Sequence, residues 1–149
     1  MDRDELEGYE REISTLLTVW GVGSVVKGGV IALLGKRTGR RQWMTFGRQT
    51  AMWGVVDALI AGAGTLSRSR RGELTQEQVD AEARKLRTLL LINAAADVVY
   101  IAGGAHIAVR AGREGTSFRM TRGDGLAILI QGAFLLALDA TYARKLSPP

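Results

Sequence analysis

Seven polar side chains interrupt long apolar stretches of the chain, and their types are those that bind protons or small cations. A carboxyl or an amine surrounded by apolar residues is costly, so such groups usually pair with one another or line an ion pathway. They form a candidate intramembrane polar cluster, which consists of Lys27, Asp57, Asn93, Asp97, Tyr100, Gln131 and Asp139.

The spacing of these residues places several of them on shared helix faces. Asn93, Asp97 and Tyr100 are separated by four and then three residues, and Gln131 and Asp139 lie on one face of a later segment. If the polar faces of four helices meet, the cluster fills the interior of a bundle.

Two interpretations of the cluster remain open. In the structural one, Lys27 forms a buried ion pair with Asp57 or Asp97, and the amides hydrogen-bond between helices. In the functional one, the same residues form a proton or cation pathway or, alternatively, a site for a bound ligand. With three aspartates and one lysine, at least one carboxyl is expected to stay protonated near neutral pH or to hold a cation, because burial disfavours the charged form.

Four apolar segments carry these residues, and each is about as long as a membrane-spanning helix. Between them, charged residues are concentrated in short blocks. This pattern predicts an all-α fold, a four-transmembrane-helix bundle in a single domain over residues 1–149. The predicted helices are 13–35, 43–66, 86–109 and 125–143.

A soluble helical bundle is the alternative architecture, and it requires a charged outer face on every helix. No Asp, Glu, Lys or Arg occurs within 88–96, 98–109 or 125–138. Helices that are apolar on all sides cannot all be interior in a chain of 149 residues. The pattern therefore favours a membrane protein.

Capping motifs predict where the helices begin. Thr75 followed three residues later by Gln78 is a capping box, which extends helix three to a start near residue 76, before its apolar part. Thr121 and Asp124 offer a similar cap for helix four. Asp2 or Asp4 would cap an extension of helix one.

Composition argues against most catalytic chemistry. The chain has no cysteine and one histidine, His106, so a disulfide framework, thiol catalysis and a cysteine zinc site are excluded. The sequence also lacks a nucleophile elbow and a phosphate-binding loop. We therefore expect no enzymatic activity, no metal and no cofactor.

The basic loops predict contacts with anionic lipids rather than with nucleic acid, because they lack interleaved aromatic residues. Lys and Arg are almost equally divided between the two ends of the predicted bundle, so the positive-inside rule barely decides its orientation. The end that carries the termini has slightly more Lys and Arg, which favours cytoplasmic termini in the cell membrane. Dual topology remains open.

Three stretches resemble a family of small four-helix bacterial membrane proteins of unknown function. They are FGRQTAMWGVVDALIAGAG, LLLINAAADVVYIAGGAHI and GDGLAILIQGAFLLALDATYA, and the resemblance covers residues 46–142. The positions that carry it are Trp53-Gly54, Asn93, Asp97 with Tyr100, Gln131-Gly132 and Asp139. Asp57 departs from the pattern, where an amide is expected. The resemblance implies a fold and no activity.

These observations predict a multi-pass membrane protein that is a non-catalytic structural or accessory subunit with a buried polar core. The alternative is a small proton- or cation-coupled transporter or channel that uses the Asp/Lys cluster. Gly21, Gly28 and Gly35 recur every seven residues, which favours close helix packing with a second copy or within a larger membrane complex.

Overall fold

The computed structural model describes residues 1–111 and 120–147, which form four α-helices and no strand. The helices are α1 (Arg3–Arg37), α2 (Arg41–Ser69), α3 (Gln76–Arg110) and α4 (Arg122–Lys145). The predicted all-α fold is confirmed, and all four helices are long and apolar enough to cross a membrane.

The helix starts follow the local capping chemistry. A side-chain oxygen of Asp2 accepts the backbone N–H of Glu5 at 2.7 Å, so Asp2 rather than Asp4 caps α1. Capping boxes begin the third and fourth helices at Thr75 and Thr121. Both predicted boxes are therefore confirmed. Each one satisfies backbone N–H donors that the first turn of the helix leaves free.

Helices α1 and α2 form an antiparallel hairpin whose backbones touch at glycines. A Cβ atom added to Gly28 would lie 2.6 Å from the backbone nitrogen of Ala51 and 2.6 Å from the carbonyl oxygen of Gly47. Gly21 meets Gly54 in the same way, one heptad earlier. The expectation that the seven-residue glycine repeat packs against a second copy or a partner is therefore wrong, because Gly21, Gly28 and Gly35 are all buried against α2 of the same chain.

Helices α3 and α4 form a second hairpin of the same kind. A Cβ atom on Gly104 would lie 2.7 Å from the backbone nitrogen of Leu129 and 2.8 Å from the carbonyl oxygen of Gly125. Close backbone approach at small residues is a common way for helices to pack in lipid.

The two hairpins meet mainly through α2 and α4. At one end of the bundle, the hydroxyl groups of Thr45 and Thr121 are hydrogen-bonded, and Gly123 packs against the backbone of Gln42. At the other end lie both termini and the α2–α3 connection, where the side-chain amide of Gln76 donates to the carbonyl oxygen of Met1.

The outer surface of the bundle is apolar. Val19, Leu59 and Val99 are each more than two-thirds exposed, and many other large aliphatic residues are also exposed. Contiguous apolar surface of this extent marks contact with a membrane or a partner rather than with water.

One ionic contact joins α1 to α4 at the end that carries the termini. Glu12 accepts a hydrogen bond of 2.9 Å from the hydroxyl of Tyr142 and one of 3.3 Å from the Lys145 amine. The Tyr142 hydrogen bond first, and then Lys145, lower the pKa of Glu12 below its ordinary value.

We expect this contact to make stability depend on pH in the acid range. Because the pKa of Glu12 is lower in the folded than in the unfolded chain, its contribution is present above the unfolded pKa and is lost as pH falls through the folded pKa. In thermal unfolding followed in detergent, Glu12→Gln should therefore reduce the loss of stability on acidification. An unchanged pH dependence would show that the contact contributes nothing.

Candidate functional site

A hydrogen-bonded chain of polar side chains crosses three helices near their middles. The indole N–H of Trp20 on α1 donates to Oε1 of Gln131 on α4 at 2.9 Å. The Nε2 of Gln131 in turn donates to Oδ2 of Asp57 on α2 at 2.6 Å. Both ends of the Gln131 carboxamide are thus used, which fixes its orientation between the two hairpins.

Local packing holds this chain in place. Trp20 stacks on Phe134, which lies about one turn beyond Gln131, with ring centroids 4.0 Å apart and planes 6° apart. The close contact at Gly21 brings α1 against the part of α2 that carries Asp57, and Asp57 is 0% exposed. The glycine contact and the aromatic stack therefore position the polar chain.

A second polar contact joins α3 to α4. Asp97 and Asp139 are both buried, and their carboxyl groups lie close enough to interact. An ionised carboxylate can only accept hydrogen bonds, and two negative carboxylates repel each other. A hydrogen bond between the two groups therefore requires a shared proton. Asp57 is close enough to Asp97 for their charges to interact.

Three buried polar atoms lack a hydrogen-bond partner within the part of the chain that the structure describes. They are Nε1 of Trp53, Oδ1 of Asp57 and Oδ2 of Asp97. Trp53 also contacts Tyr100 of α3 edge to face, with ring centroids 5.4 Å apart. Buried polar groups without a partner are rare enough to require an explanation.

The structure brings together four of the seven residues of the candidate cluster, Asp57, Asp97, Gln131 and Asp139, all of which are buried. Tyr100 lies at the edge of this group, 43% exposed and in contact with Trp53.

The predicted interior position of Lys27 is wrong, because this residue lies exposed on the outside of α1. The described residues show no ion pair between Lys27 and either Asp57 or Asp97, so the expected buried pair is wrong. Its amine lies 5.9 Å from the centroid of the Trp20 ring instead. The neighbouring Gly28 faces α2, and adjacent residues of a helix point about 100° apart.

The predicted interior position of Asn93 is also wrong, because this residue is exposed. The buried stripe of α3 is narrow and recurs every seven residues, at Ala83, Leu90, Asp97 and Gly104. Asn93 lies beside this stripe. It is exposed because α3 packs chiefly against α4, which covers only a narrow face of the helix.

The indole groups of Trp20 and Trp53 also lie at this site, and the predicted cluster did not include them. A signal was present for Trp53, which precedes Asp57 by four residues and so shares its helix face. Across the described residues, no three acidic or histidine side chains are grouped closely enough to hold a metal ion.

A comparison with protein families places this site within a known group of sequences. The family model matches residues 16–140, which includes most of α1, all of α2 and α3, and most of α4. The chain belongs to DUF6992, a family of unknown function. No curated protein and no solved structure matches the chain.

Membership of DUF6992 confirms the expected resemblance to a family without an assigned function. The match also reaches further toward the N-terminus than the predicted residues 46–142, because it includes the Trp20 and Gly28 region of α1. All the buried residues of the hydrogen-bonded chain therefore lie within the part of the chain that DUF6992 covers.

Proposed function

We propose that this chain is a non-catalytic structural or accessory subunit of the cell membrane, whose four helices cross the bilayer and associate with a further membrane helix. Four helices of spanning length and an apolar outer surface support the membrane assignment. The interhelical hydrogen bonds of Trp20, Gln131 and Asp57 support a structural role for the core.

The single observation that carries the accessory role is the exposure of Asn93. This residue lies within the apolar part of α3, and its side chain faces outward. Lipid tails offer no hydrogen-bond partner for a carboxamide, and such side chains in membrane helices bond to neighbouring helices instead. An outward-facing Asn93 is therefore best satisfied by a helix outside this bundle.

The association can be tested with a pair of adjacent substitutions on α3. We expect the purified protein, or its complex extracted from native membrane in mild detergent, to be larger than one chain. Asn93→Leu should weaken association about three- to twentyfold, since a hydrogen bond between membrane helices contributes about 0.6 to 1.7 kcal/mol. Ile92→Leu, at a neighbouring residue that is 60% exposed, is the matched control.

Mass measurement of the extracted particles distinguishes the outcomes. A homo-oligomer and a complex with another membrane protein would both support the proposal, and mass separates them. A wild-type chain that runs as a monomer, or an Asn93→Leu variant that associates as strongly as wild type, would contradict it.

The basic connection between α1 and α2 supports a further contact with the bilayer surface. Lys36, Arg37, Arg40 and Arg41 flank the α1–α2 turn, and their positive charges would suit anionic lipid phosphates on whichever side of the bilayer this turn lies. We propose cytoplasmic termini, with insertion in both orientations as the alternative.

A proton- or cation-coupled transporter or channel is the second candidate, and the Asp97–Asp139 contact is the observation that favours it. It ranks second because the buried polar residues of α4 form two separate groups. Between Asp124 and Gln131 lie six residues without a polar side chain, Gly125–Ile130, a rise of about 10 Å between the two groups. Along α4, the central group therefore continues only toward the end of the bundle that carries the termini.

Flux into proteoliposomes separates the two candidates. The accessory role predicts proton and cation flux equal to that of protein-free vesicles, whether residue 97 is Asp or Asn. A pH-dependent flux that Asp97→Asn abolishes would instead establish the transporter.

A further inference from the structure

Of the three buried polar atoms without a partner, two belong to α2 and one belongs to α3. Trp53 and Asp57 are one turn apart on α2, and Asp97 and Tyr100 are about one turn apart on α3. The Trp53 and Tyr100 rings touch. The two helices run in opposite directions, because α2 and α3 are consecutive and joined by a short connection at one end of the bundle. The Trp53–Tyr100 contact therefore brings Asp57 and Asp97 to about the same level of the bundle.

The chemistry of the three atoms restricts what can satisfy them. The indole N–H of Trp53 can only donate, whereas Oδ1 of Asp57 and Oδ2 of Asp97 carry lone pairs that accept. A metal cation would be repelled by the positive end of the indole N–H, and an anion would be repelled by the two carboxyl groups. A molecule that accepts one hydrogen bond and donates two satisfies all three.

We propose that Trp53, Asp57 and Asp97 form a binding site for one internal water molecule. The water accepts from Nε1 of Trp53 and donates to Oδ1 of Asp57 and Oδ2 of Asp97. Buried waters typically make about three hydrogen bonds to groups that would otherwise be unsatisfied, which is the number available here.

The bound water completes a hydrogen-bonded network through all four helices. The chain from Trp20 through Gln131 ends at Asp57, and the Asp97–Asp139 contact begins on the other side of the water. The network gives α3 a polar link to α2 and carries hydrogen bonds without a break from α1 to α3. The site is the same whether the chain is an accessory subunit or a transporter.

The indole N–H groups report directly on this site by NMR of the full-length protein in detergent micelles. The chain has three tryptophans, so their indole signals can be assigned by single Trp→Phe variants. We expect the Trp53 indole proton to show a cross-relaxation peak to a long-lived water. Trp20 is the internal control, because its indole donates directly to Gln131 and should show no such peak.

Two variants at residue 57 test the assignment further. In Asp57→Asn the single side-chain oxygen accepts from Gln131, and the NH2 group can donate to the water, which can accept two hydrogen bonds. This variant should therefore keep the water peak of Trp53, whereas Asp57→Leu should lose it. If Asp57→Leu does not fold, the wild-type and Asp57→Asn spectra still decide. A wild-type Trp53 indole without a water peak, or one bonded directly to the Asp57 carboxyl, would overturn the proposal.

Discussion

Gly28→Leu should separate α1 from α2 and strongly destabilise the protein, whereas Gly29→Leu should have little effect. The Cβ atom of a leucine at 28 would meet backbone atoms of Ala51 and Gly47 at 2.6 Å, and backbone atoms cannot rotate away. A Cβ atom at Gly29 meets nothing within 4 Å. Overpacking of a well-packed contact costs about 1 to 3 kcal/mol and occasionally more.

Thermal unfolding in detergent measures this difference, and the adjacent glycine serves as the control. Leucine also forms helix better than glycine, so Gly29→Leu should be neutral or slightly stabilising. Gly104→Leu and Gly103→Leu form a second such pair, because Gly104 packs on α4 and Gly103 is open. Equal melting temperatures within both pairs would show that the hairpins do not pack at these glycines.

Gln131→Leu should be the most destabilising single change in the polar core. It removes the acceptor of the half-buried Trp20 indole and the donor to the buried Asp57 carboxyl, so two polar groups lose their partner at once. A buried polar group left unsatisfied costs about 1 to 3 kcal/mol. Gln131→Met is a second apolar variant of nearly native length, and it should destabilise to a similar degree.

A double-mutant cycle separates the hydrogen bonds from the packing. Adding Asp57→Leu to Gln131→Leu removes the unpartnered carboxyl as well, and replacement of both partners by apolar groups can be nearly neutral. We therefore expect the double variant to be more stable than the sum of the two single changes predicts. Strictly additive losses would mean that the two side chains do not interact.

The helices could be predicted from the sequence because their signals are local. The lengths of the apolar stretches predicted the four helices. The capping box of Thr75 and Gln78 predicted that α3 begins ten residues before its apolar part. Buried aspartates were also predictable, since an isolated carboxyl in an apolar helix must face the interior of a bundle. These inferences need no knowledge of which helices touch.

The partners of the buried residues could not be predicted, because they depend on which face of each helix packs. Lys27 and Gly28 are adjacent in sequence, and only the packing of α1 on α2 decides which of them faces inward. The glycine repeat marks that face, but the sequence alone does not say that α2, rather than a second copy, packs against it. The link from Trp20 to Gln131 joins residues 111 positions apart, which no local pattern reveals.

The placement of these four helices in a bilayer can be tested most directly by the access of a water-soluble maleimide to single cysteines. The chain has no cysteine of its own, so each label reports one position. Ile92 and Val30 lie on the outside of the bundle, 60% and 53% exposed, whereas Thr38 lies in the α1–α2 turn. In native membranes opened to reagent on both sides, we predict that Thr38→Cys reacts readily. Ile92→Cys and Val30→Cys should react far more slowly, because lipid covers them; reaction of all three at similar rates would contradict the four-span account.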